Sequence, residues 1–162
     1  MAHVAAVPLR IDLLRHGPAA PAGAGGDAAR PLSPDGARAI RRLGERLAGE
    51  GWTPERVLSS PYRRARETAE LLLEASGVRA PVLWLEELEP ERDPEDLAAV
   101  LGAHLGGARH ALLVGHQPLA GRLAQRWCGS SLAPAPGELL QIEFEGLPER
   151  GPGRLIRHLT RS

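Results

Sequence analysis

"LRIDLLRHGPA", Leu9 to Ala19, decides the fold. Leu9–Leu14 reads as a strand heading into a core. It stops abruptly at Arg15, His16 and Gly17, and neither Arg15 nor His16 belongs among apolar neighbours. A buried strand that ends in polar residues is typical of open α/β sheets, whose ligands lie beyond the carboxyl ends of the strands.

Working outward, five further apolar runs read as strands: Arg56–Ser60, Pro81–Leu85, His110–His116, Glu138–Phe144 and Gly153–Leu159. "ALLVG" within the fourth is continuously apolar, as in a strand covered on both faces. Helical patterns separate the first five. Ser33 is a candidate N-cap with Pro34 at the first helical position, and Ala37, Ile40, Leu43 and Leu47 follow at helical spacing up to Gly49 or Gly51. A second helix places Ala65, Ala69, Leu72 and Leu73 on one face and stops at Gly77. A third opens at Asp93–Pro94, and a fourth follows His116. The alternation predicts an α/β three-layer sandwich. Its central sheet is mostly parallel, with helices on both faces and an antiparallel edge. The 162 residues suit a single domain, 1–162.

Composition narrows the function. Net charge is formally zero, which gives no reason to expect nucleic acid or an anionic membrane as partner. Every basic residue is arginine, so a Walker-type phosphate loop and a lysine Schiff base are excluded. The lone Cys128 makes no internal disulfide, and no zinc spacing occurs. The first residues lack a basic leader, and no apolar run approaches about 20 residues, so a cytoplasmic protein is expected. The small-residue segment Pro18–Pro31 lacks the spacing of a phosphate cradle and reads as a flexible loop.

Three predicted strands deliver polar residues to the same rim: Arg15–His16–Gly17, Ser59–Ser60–Pro61 followed by Arg63–Arg64, and Gly115–His116. "LEELEP", Leu85–Pro90, adds carboxylates. These parts suit phosphoryl transfer, which depends on positioning and electrostatics. Arginine forks grip phosphate oxygens, and a neutral imidazole can attack phosphorus. A second histidine, if protonated, donates to an equatorial oxygen, and a carboxylic acid protonates the leaving group. Gly17 would let the backbone approach the substrate. The bland readings are a helix cap for Ser33 and Ser60, packing for Trp52, Trp84 and Trp127, apolar filler for Cys128, and structural or solvated roles for His3, His104, His110 and His158.

The ordered set "LLRHGPA", "RPLSPDGARAIRRLGERL", "VLSSPYRRARETAELL" and "LLVGHQPLAGRL" resembles the histidine phosphatase superfamily, the phosphoglycerate-mutase-like proteins, and within it the small SixA-type phosphohistidine phosphatases. The resemblance implies that His16 is the nucleophile and becomes phosphohistidine. It implies that Arg15 and Arg64 clamp the phosphoryl group, with Arg63 or Arg66 as alternatives to Arg64, and that His116 completes the pocket. Glu87 falls where larger relatives carry a proton donor, with Glu86 and Glu89 as alternatives. No metal or cofactor is expected, because guanidinium groups supply the positive charge. The substrate expected is a phosphorylated protein, such as a phosphorelay histidine domain. The alternatives are a small phosphorylated metabolite or, from a different class, a non-catalytic phosphate-binding adaptor.

Overall fold

The structure, a computed structural model, describes residues 8–161. The reading of the leader region and that of His3 fall outside the described residues. The strands are β1 (Leu9–Arg15), β2 (Arg56–Ser59), β3 (Val82–Trp84), β4 (His110–Gly115), β5 (Leu139–Phe144) and β6 (Arg154–Leu159). The helices are α1 (Pro34–Gly49), α2 (Arg63–Ser76), α3 (Pro94–Leu105) and α4 (Leu119–Cys128). All six strands join one sheet in the order β3-β2-β4-β1-β5-β6. β1, β2, β3 and β4 run parallel, whereas β5 pairs antiparallel with β1 and with β6. The expected architecture is the observed one.

Side-chain alternation along β1 sets the layers. Ile11 and Leu13 pack on one face with Leu97 and Leu101 of α3 and Leu119 and Leu123 of α4. Leu14 packs on the other with Ile40 and Leu47 of α1 and Ala69 and Leu72 of α2. β1 and β4 are neighbours, yet β1 leads to α1 on one face and β4 to α4 on the opposite face. The two connections diverge, and a crevice opens between them at the carboxyl ends. His16 and His116 are the first residues beyond those two strands.

Local signals act as their chemistry requires. Ser33 caps α1 by accepting the Gly36 N–H at 2.9 Å, and Asp93 and Asp96 form a reciprocal capping box on α3. Asp12 is buried on β1, where one carboxylate oxygen accepts from the Trp52 indole and from His110, both at 2.6 Å. Trp52 and Trp127 pack as expected, and Cys128 lies against the α3/α4 cluster. Trp84 differs: β3 is an edge strand, and the indole is 43% exposed.

α1 and α2 meet closely at Gly44, where a Cβ would stand 2.6 Å from Ala75 Cβ and 3.1 Å from the Leu72 carbonyl. Gly49, in the same helix, faces open space. Gly44→Ala should therefore lower stability by about 1–3 kcal/mol through overpacking. Gly49→Ala should raise it by up to about 1 kcal/mol through helix propensity. Denaturant midpoints of the two variants check the opposite signs.

Candidate active site

The β1–β4 ladder runs on past its last strand pair. The His16 N–H donates to the Gly115 carbonyl at 3.0 Å, and the Ser60 N–H to Val114 at 3.0 Å. Three chain ends are thereby fixed side by side. The imidazoles of His16 and His116 lie 5.0 Å apart, centroid to centroid, and both are buried.

The tautomer of His16 follows from its partners. Its Nδ1 lies 2.7 Å from the Gly17 carbonyl, which has no proton to give, so Nδ1 carries the hydrogen and donates. Nε2 is left with a lone pair, and Arg64 Nε donates to it at 3.3 Å. Burial first, then the fields of Arg64, Arg15 and Arg30, pull the His16 pKa down from 6.5 to about 4 against the opposing Gly17 bond. The neutral form, with a lone pair on Nε2, is thus the resting form. His116 is lowered further, to about 2, by burial first and then by His16 and Arg64. It is a neutral donor or acceptor, so the condition under which a protonated imidazole would donate is not met here.

Arg64, the first buried residue of α2, is the arginine that enters the site. Arg63 and Arg66 are exposed, and Arg63 pairs with Glu67 at 3.1 Å. Thr68, one turn on, holds Arg64 and Gly17 together. Its hydroxyl donates to the Arg64 carbonyl at 2.7 Å and accepts the Gly17 N–H at 3.0 Å. Arg15 reaches the Pro134 carbonyl through Nη1 at 3.2 Å, and its buried Nε has no partner. Arg15 is held by its strand end and is available for an anion.

Glu87 stands on a 3-10 turn, Glu86–Leu88, that packs over the end of β4. The Leu88 carbonyl is 3.5 Å from where a Gly115 Cβ would be. Among the described residues neither Glu87 nor its alternatives Glu86 and Glu89 hydrogen-bonds to either imidazole or either clamp, and Glu87 and Glu89 instead act on Arg92. The carboxylate that does touch Arg64 is that of Asp27. Its carbonyl accepts from Arg64 Nη1 at 2.8 Å, and its carboxylate from Nη2 at 3.2 Å and from Arg30 at 3.1 Å. Arg30 and Arg64 hold its pKa below the usual carboxylate range.

Sequence reasoning missed Asp27 and Arg30 because they lie in a segment that reads as a flexible loop. That segment contains a 3-10 turn, Asp27–Ala29, anchored on α2. Ser60 is also not a helix cap. Tyr62 occupies that position, and Ser60 Oγ sits 2.8 Å from His116 Nε2. Packing also holds position 17 to glycine: a Cβ would meet Ile40 at 2.9 Å and Leu32 at 3.2 Å.

The family model "Histidine phosphatase superfamily (branch 1)" matches residues 11–98. The chain belongs to the histidine phosphatase superfamily. It is 32% identical over 127 residues to the phosphohistidine phosphatase SixA of Escherichia coli strain K12, covering 78% of each chain. It superposes on the protein histidine phosphatase SixA complexed with tungstate at TM-score 0.84 with 28% identity, covering 94% of this chain and 97% of that one. A mycobacterial glucosyl-3-phosphoglycerate phosphatase shares the fold at TM-score 0.67 and 21% identity, covering 96% of this chain and 99% of that one. Because the imidazoles of His16 and His116 are buried neutral, stability should depend on acid. Above pH 6.5 both histidines are neutral, folded or unfolded. As pH falls from 6.5 to 4, the unfolded chain takes up the His16 proton first, and stability drops by roughly 3 kcal/mol from this group before levelling. Denaturant unfolding across that window should show a shallower loss in His16→Ala than in the parent.

Proposed function

We propose that this phosphatase transfers a phosphoryl group from a protein phosphohistidine to His16 and then to water. The observation that carries the reading is the lone pair on His16 Nε2, held neutral beside Arg64 and 5.0 Å, ring to ring, from His116. In the first step Nε2 attacks phosphorus in line. A new N–P bond forms, and the substrate N–P bond breaks, its electron pair leaving with the substrate imidazole. Arg15, Arg64 and His116 hold the three outer oxygens. In the second step water attacks phospho-His16, the N–P bond breaks, and inorganic phosphate and neutral His16 are released.

Leaving-group chemistry supports a phosphoramidate. A substrate imidazole protonated on its other nitrogen departs neutral, so it needs no strong acid from the protein. Glu87 is the proton donor we assign for ester substrates, and its lack of contact with either imidazole fits a secondary role. Guanidinium groups supply the charge that a metal ion would otherwise provide, so chelators should leave turnover intact.

The protein substrate is supported by the short connection after β3. Only Leu85–Asp93 joins β3 to α3, too little chain to build a lid. Leu83 and Trp84, 40% and 43% exposed, place apolar surface beside that connection. No helix of the described residues is long and apolar enough to cross a membrane, and we assign the protein to the cytoplasm, where such phosphoproteins are found.

The test is single-turnover transfer from a radiolabelled phosphorelay histidine domain, run beside sugar and nucleotide phosphates. Label should appear on the enzyme as an alkali-stable, acid-labile adduct. His16→Ala should abolish both adduct and turnover, and Arg64→Ala should cost roughly 10²-fold or more in kcat/KM. A rate advantage confined to the small molecules would overturn the substrate.

A further inference from the structure

His116 raises a question that its position alone does not answer. A neutral imidazole carries one proton, and only one of its two nitrogens can donate to a phosphoryl oxygen. The other ring nitrogen must be dealt with by the protein.

We infer that the buried hydroxyl of Ser60 is a positioning residue that keeps the His116 proton on Nδ1, so that a neutral imidazole offers an N–H to the transferred group. The inference rests on the phosphatase reading above and specifies how its second histidine works. Ser60 is fully buried, and its Oγ has two neighbours: the Tyr62 N–H, which donates to it at 3.1 Å, and His116 Nε2 at 2.8 Å.

Two proton arrangements fit these distances. In the first, Ser60 accepts from Tyr62 and gives its own proton to the bare Nε2 of His116. Hydroxyl and Nε2 are then satisfied, and one group remains over, the Nδ1–H. In the second, Nε2 carries the proton and donates to Ser60. The hydroxyl proton then has no acceptor, and Nδ1 is left as a buried lone pair without a donor. The second arrangement strands one more buried polar group, with its full desolvation penalty. It would also aim a lone pair, not a proton, at an incoming anion.

The group left over in the first arrangement is an N–H without a protein partner. Among the described residues, three buried side-chain polar atoms have no partner: Asp12 Oδ1, Arg15 Nε and His116 Nδ1. Two of the three belong to this site, and with Ser60 donating both are N–H groups. They are matched to a ligand made of acceptor oxygens. Tyr62 closes the arrangement. Its ring packs edge-on against His116 at 5.1 Å, which keeps the imidazole from turning over and exchanging its two nitrogens.

The tautomer is read directly from two-bond proton–nitrogen spectra of the 15N-labelled full-length protein near neutral pH, with His116→Gln to assign the ring. The expected spectrum shows Nδ1 protonated and Nε2 bare. Ser60→Ala should shift His116 toward the Nε2–H form and lower kcat by roughly 10²-fold, as when one preorganised donor is lost, with a smaller change in KM. Ser60→Thr keeps the hydroxyl and should restore both the Nδ1–H signature and most of the rate. An Nε2–H spectrum in the parent protein overturns the inference, and this holds even where Ser60→Ala fails to fold. So does a folded Ser60→Ala variant that keeps the Nδ1–H signature and full turnover. A parent protein with the Nδ1–H signature that turns over no phosphate compound would instead sink the phosphatase reading and uphold the assignment of Ser60.

Discussion

The site depends on one hydrogen bond in which a cation donates to a lone pair. Arg64 can give its Nε–H to His16 only because the imidazole is uncharged and its one proton is committed elsewhere. A protonated His16 would place two cations at 3.3 Å in a desolvated pocket. Burial and the neighbouring guanidinium groups act in the same direction and keep the imidazole neutral. The same cationic pocket, whose charge suits an anion, therefore holds its imidazole unprotonated.

That arrangement needs a backbone able to bring distant residues within a few ångströms. The sheet supplies it by placing β1 beside β4 while sending the chain from each to opposite faces. Adjacent strand ends then deliver His16 and His116 with no loop of adjustable length between strand and imidazole. Arg64 comes from α2 and is fastened to the same backbone through Thr68, whose hydroxyl bridges Gly17 and the first turn of the helix. Gly17 is tied on both sides, by its N–H to Thr68 and by its carbonyl to His16 Nδ1. A displacement of α2 would be felt at the nucleophile.

Most of the fold and the core of the site were legible because short-range chemistry wrote them. The six strands show as apolar runs, and α1 and α3 announce themselves by Ser33–Pro34 and Asp93–Pro94. Arg15, His16 and His116 stand in recognisable stretches at strand ends, and Arg64 in one at a helix start. Residues whose meaning comes only from a distant partner were not legible. Nothing near Asp27 in the chain says that it lies against Arg64, because Pro18–Pro31 has the composition of an unstructured connection. Ser60 looks like a cap because serine before a helix usually is one, and only the sheet register brings His116 to it. Trp84 misled in the opposite sense. An indole normally signals packing, but on a three-residue edge strand there is no layer to cover it.

The connection after β1 is closed at its neck by the Ala19–Leu32 bridge, in which the Ala20 N–H donates to the Pro31 carbonyl at 2.9 Å and the Ser33 N–H to the Pro18 carbonyl at 3.0 Å. Its far limb, Asp27–Arg30, is pinned to α2, while Pro21–Gly26 is exposed throughout. Insertions and deletions in that exposed span leave the bridge at the neck and the Asp27 anchor where they are. The chain thus has a place, next to its chemistry yet outside its framework, where evolution or a protein engineer can graft new sequence and alter which molecules are admitted.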